Sequence, residues 1–122
     1  MIRLALVGAG GHATHLHAPA LQHYRRMFPG RVSVAVCDTD AARMHEAVDG
    51  FGFDDGYTDV ETLRREFKPD AAMLIVPIAV TWPMVQTFLP DRIPLLIEKP
   101  LGERDMGTYT VAAYTVEQQQ RL

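Results

Sequence analysis

Apolar residues gather in short runs at positions 2–7, 32–37, 71–76 and 95–97, none alternating cleanly with polar ones. Such runs suit parallel strands covered on both faces, where each side chain meets apolar neighbours whichever way it points. Between the runs the spacing changes to three and four. Met44, Ala47 and Val48 recur against polar or small Ala42, His45, Glu46 and Asp49, which predicts a helix over 40–48 stopped by Gly50 and Gly52. Asp59 as N-cap, with Glu61 and Thr62 in the first turn and Val60, Leu63 and Phe67 along one side, predicts a helix over 59–67 that ends at Lys68-Pro69-Asp70. Trp82, Val85, Phe88 and Leu89 mark another helix, with Pro83 expected in its first turn. Past Gly102, helical intervals return at Met106, Tyr109, Ala113 and Val116. A short strand near 56–58 completes an order in which every strand is followed by a helix.

That alternation requires right-handed crossovers and a sheet between two helix layers, the doubly wound α/β fold of Rossmann type. No repeat, low-complexity tract or linker divides the chain, and 122 residues bound one core, so a single domain over 1–122 is expected. With 48% hydrophobic and 22% charged residues the composition is that of ordinary folded proteins. A formal net charge of −3 gives no basic footprint for nucleic acid, and no apolar run is long enough to span a bilayer. Cys37 has no partner for a disulfide and reads as a small inert core residue; without a signal-peptide pattern, the cytoplasm is the expected location.

The candidate chemistry begins at Gly8-Ala9-Gly10-Gly11-His12-Ala13, directly after the first run. A strand that ends in a tight turn and opens a helix can hold a pyrophosphate on unpaired helix N–H groups. Gly8 permits the turn, Gly10 lets the backbone approach the phosphates, and Ala13 fills the third small position where helix and strand pack closely. Gly11 adds a further glycine, and His12 supplies an N–H at the helix start. Asp38 ends the second run, thirty positions after Gly8 where about 20 is usual; the segment between holds Pro19 and Pro29-Gly30 and is expected to contain a broken helix and a loop. A carboxylate there accepts from ribose hydroxyls and repels a 2′-phosphate, which favours NAD, while Arg43 within reach of a phosphate keeps NADP open. His12, His15, His17 and His23 crowd one region, but no cysteine or carboxylate lies near them at a recognised metal spacing, so no metal site is expected.

Taken together, the glycine loop, His17-Ala18-Pro19-Ala20-Leu21, Asp38 with Arg43, Tyr57-Thr58-Asp59, Val76-Pro77 and Glu98-Lys99-Pro100-Leu101 resemble the Gfo/Idh/MocA oxidoreductase family over essentially the whole chain. The resemblance implies that Lys99 lies beside the nicotinamide and the reacting carbon, where an ammonium stabilises charge developing on oxygen. It implies further that Glu98 lines the cofactor pocket and that Val76 and Pro77 bound it near the nicotinamide ribose. Where many members carry a histidine after the Val76-Pro77 equivalent, this chain reads Ile78-Ala79-Val80-Thr81-Trp82. The C-terminal α/β substrate domain that family enzymes carry is absent from these 122 residues, and its acid–base residues have no counterpart to assign.

The expected function is thus the nucleotide-binding part of an NAD(P)-dependent oxidoreductase acting on a hydroxyl or carbonyl of a sugar, cyclitol or related small molecule, inactive or nearly so in isolation. The alternative is a stand-alone, non-catalytic NAD(P)-binding or regulatory module, a homo-oligomer through the surface a second domain would cover. A methyltransferase using S-adenosylmethionine shares the glycine turn and the ribose acid, but gives Glu98-Lys99-Pro100 no purpose.

Overall fold

The structure, a computed structural model, describes residues 1–98. Lys99, Pro100 and the helix expected beyond Gly102 lie outside the described residues. The elements are β1 (Ile2–Val7), a π-helical turn (Ala13–His17) running into α1 (Ala18–Met27), β2 (Val32–Cys37), α2 (Ala41–Phe51), β3 (Asp55–Tyr57), α3 (Val60–Glu66), β4 (Ala71–Leu74), α4 (Ile78–Phe88) and β5 (Leu95–Ile97). The strands form one parallel sheet in the order β3-β2-β1-β4-β5, the doubly wound arrangement that the alternation requires.

Period-two geometry explains why the apolar runs do not alternate. Ala5 and Val7 of β1 and Ala35 and Cys37 of β2 face a core closed by Leu63, Phe67, Val85 and Phe88 from α3, its end and α4. Leu6, Val34 and Val36 face the other way, onto Ala13, Ala18, Met44 and Ala47. Leu6, Val34 and Val36 are fully buried, each contributing about 1.5–3 kcal/mol through removal from water. Among the described residues β5 lies at one edge of the sheet, and Leu96 there is half exposed.

Helix ends follow the expected chemistry with two corrections. Asp40 caps α2 through the Ala42 and Arg43 amides and Asp59 caps α3 through Thr62. Gly52, at φ 67°, stops α2, whereas Gly50 lies inside the helix, because only the left-handed residue ends the hydrogen-bond ladder. Pro83 is not in a first turn. Helix α4 begins at Ile78, directly after extended Pro77, so Pro83 falls in its exposed interior. The strand of the third run is also shorter than its apolar stretch: β4 closes at Leu74, and Ile75 and Val76 lead out of the sheet.

Candidate functional site

Strand register decides which residues share an edge. Val7, Cys37, Tyr57, Leu74 and Ile97 form one row across the sheet. The next residues in sequence, Gly8, Asp38, Thr58, Ile75 and Glu98, therefore emerge together at the carboxyl edge, where open α/β sheets bind ligands. A cavity of about 430 Å³ lies there; Gly8, Gly10, Asp38, Arg43, Val76 and Pro77 are among its walls. Ala13 is buried beneath it in the core, and Gly11, His12 and Glu98 stand outside its lining.

The two loop glycines are needed for different reasons. Gly8 has φ +100°, and a Cβ on it would sit 2.0 Å from the Ile75 carbonyl oxygen, so the fold itself demands glycine. At Gly10 a Cβ would meet nothing within 4 Å. Packing within the described residues does not require glycine there. The Gly8 amide donates to the Cys37 carbonyl (2.8 Å) and the Ala9 amide to Asp38 Oδ2 (2.9 Å). Gly10, Gly11 and His12 then supply the opening N–H groups of the helix, which have no carbonyl four residues back.

Asp38 thus has a second task that sequence spacing does not reveal: it ties the glycine loop to the end of β2. Its other oxygen accepts from the Asp40 amide at 2.8 Å. Each carboxylate oxygen retains acceptor capacity for a ribose hydroxyl. Arg43 is largely exposed, pairs with Asp40 (Nε to Oδ2, 3.8 Å) and lines the cavity. Burial, reinforced by the negative charge of Asp38 and Asp59, pushes the Cys37 thiol up to about 11. It is therefore held protonated at neutral pH.

A cavity of about 440 Å³ at the opposite, amino edge is lined by Arg25, Arg26, Gly52 and Asp54. It suits a phosphate poorly. It is flanked by the C-terminal, negative ends of α1 and α2, and Arg25 is engaged by Asp54 (2.8 Å) and the Gly52 carbonyl (3.1 Å).

The histidines behave differently from their spacing. His15 lies against the Gly11 carbonyl, with Nδ1 2.7 Å away. His12 instead lies against His17, and Glu98 Oε1 is 2.6 Å from His17 Nε2 and 3.2 Å from His12 Nε2. Hydrogen bonds from His17 and then His12 hold the Glu98 carboxyl below the usual range. No local pattern announces this contact across 81 positions; strand register creates it.

Comparison with known proteins agrees with this geometry. Residues 2–122 match the Gfo/Idh/MocA model, an oxidoreductase family with an NAD-binding Rossmann fold. Among solved structures, an oxidoreductase from Thermotoga maritima is 25% identical with a TM-score of 0.77, over 95% of this chain and 34% of that one. The WlbA dehydrogenase from Bordetella pertussis, solved with NADH and UDP-GlcNAcA, is 22% identical with a TM-score of 0.71, over 95% of this chain and 33% of its own. A scyllo-inositol dehydrogenase from Lactobacillus casei is 16% identical with a TM-score of 0.71, over 96% and 33%. The chain therefore spans about a third of the length of these proteins. No curated protein sequence matches it. Among the described residues no helix is long and apolar enough to cross a membrane. With its glycine turn, its strand order and a family match from residue 2 to residue 122, the chain belongs to the Gfo/Idh/MocA oxidoreductases, as their NAD-binding Rossmann domain.

Proposed function

We propose that the crevice at the carboxyl edge takes NAD in preference to NADP and serves hydride transfer at a hydroxyl or carbonyl of a sugar or cyclitol. The pyrophosphate sits over the amides of Gly10, Gly11 and His12, with Ala13 packed beneath, and the adenosine ribose against Asp38. Val76 and Pro77 wall the nicotinamide end. The observation that carries this reading is Gly10, whose missing side chain opens onto empty space beside a helix start rather than onto protein. When bound, the nicotinamide supplies the hydride chemistry.

The chain's own part is to orient and to place charge. Lys99, following Glu98, presents an ammonium to the substrate oxygen, donating a hydrogen bond as negative charge grows there. Glu98 borders the same end. The substrate class draws support from the UDP-sugar and inositol relatives, and a small molecule rather than nucleic acid accords with the net charge of −3. A cytoplasmic setting accords with a free buried thiol at Cys37.

Calorimetric titration of wild type and Asp38→Ala with NAD⁺ and NADP⁺ tests the cofactor reading. Because Asp38 also holds the Ala9 amide, the two roles must be separated. The expected result is NAD⁺ affinity reduced about tenfold or more, with NADP⁺ affinity unchanged or improved. Equal loss for both nucleotides would reduce Asp38 to a loop tether. Unchanged NAD⁺ affinity would remove it from the site.

A further inference from the structure

One cluster at this edge lies outside the nucleotide cavity. His12 and His17 are five positions apart, and five α-helical steps would set them about 140° apart around the axis. The π-helical turn between them, closed by the Ala18 N–H donating to the Ala13 carbonyl, takes more residues per turn and returns the fifth residue toward the first. The two rings consequently meet edge to face at 5.4 Å. Strand β5 delivers Glu98 to the same point, and one ligand atom from each of the three residues lies within 4.8 Å of the others.

We propose that His12, His17 and Glu98 bind one divalent transition-metal cation of the zinc class, with a coordination position left open to solvent. Two imidazole nitrogens and a carboxylate oxygen are a zinc donor set, whereas magnesium and calcium prefer all-oxygen shells. Tetrahedral zinc at about 2.0–2.1 Å from each ligand separates ligand atoms by about 3.3 Å. The His12–Glu98 separation of 3.2 Å already meets that value, and the 2.6 Å His17–Glu98 contact widens as the ion replaces the shared proton. Both imidazoles approach through Nε2, leaving Nδ1 to carry the remaining proton. The His17 side chain is only 15% exposed and fixes the site, while His12, at 59%, and Glu98, at 32%, leave it open to an entering ion. The spacing rule that argued against a metal lacked a carboxylate; the fold supplies one. None of the three side chains lines the cavity, so zinc titration of the nucleotide-free chain tests this site separately from the nucleotide reading.

Titration of the chain with ZnCl₂ by calorimetry, and with CoCl₂ by visible absorption, tests it. One equivalent of zinc should bind, cobalt should develop the d–d bands of a low-coordinate nitrogen–oxygen site, and MgCl₂ should give no saturable heat. His12→Ala, His17→Ala and Glu98→Gln should each weaken zinc by more than about tenfold, while His45→Ala, on the exposed face of α2, should not. Exposed His12 can be replaced without disturbing the core, so that variant remains informative if His17→Ala unfolds. Absence of saturable zinc binding, or equal affinity in wild type and His12→Ala, would overturn the proposal.

Discussion

Single residues in the glycine loop divide into those the fold requires and those only a ligand requires. Gly8→Ala forces a Cβ against the Ile75 carbonyl at a left-handed backbone position. It should cost more than about 3 kcal/mol in urea unfolding, or prevent folding. Gly10→Ala should leave stability within about 0.5 kcal/mol yet weaken NAD⁺ in calorimetry, and equal stability loss for the two would deny the distinction. Cys37, buried and held protonated up to about 11, should resist iodoacetamide at pH 8 in the native protein and react fully once denatured. The glycine loop was legible because its constraint is local: a left-handed turn after a strand can be read from residue type alone. The second task of Asp38 was not, since its bond to Ala9 depends on β1 and β2 lying side by side in register.

Element ends record where local chemistry prevails and where packing does. The caps Asp40 and Asp59 stand where their sequence neighbours put them, and Asp40→Ala should lower stability by about 1 kcal/mol. Pro83 shows the opposite case. Trp82, Val85, Phe88 and Leu89 mark the apolar face of α4, but its start depends on the chain leaving β4 at Leu74 and turning at Pro77. Restoring an N–H toward the Ala79 carbonyl with Pro83→Ala should therefore stabilise the protein by about 1–3 kcal/mol, seen as a higher thermal midpoint; an unchanged or lower midpoint would show that the helix accommodates Pro83 without cost. The π-helical turn was equally hidden. It is a local slip in helical phase within a segment whose proline and glycine content suggested only a broken helix, and it decides which histidines meet.

At the scale of the molecule, a parallel sheet converts separate motifs into one edge. Apolar runs without alternation foretold two covered faces, and the helix layers on either side satisfy them. Charge at the periphery adds a pH dependence whose sign is fixed. Asp91 is held below its usual range by Arg64, Asp59 by Thr62, and Glu98 by His17 and His12. Each depressed carboxyl contributes stability that is present above the ordinary range near pH 4 and lost as pH falls through its lowered value. The urea midpoint should fall on going from pH 5 to pH 3, and more shallowly in Asp91→Asn, where an exposed pair worth about 0.5–1 kcal/mol is gone; an equally steep fall in that variant would exclude the Arg64 pair as a source.

The central claim is that the dinucleotide lies over the helix start at the carboxyl edge of the sheet. Backbone amide shifts measured by NMR during NAD⁺ titration test it most directly. The account predicts saturable perturbation of Gly10, Gly11, His12, Asp38 and Val76, with the amino-edge cavity around Arg25 and Asp54 unmoved. Saturable shifts confined to that opposite edge, or none anywhere, would contradict it.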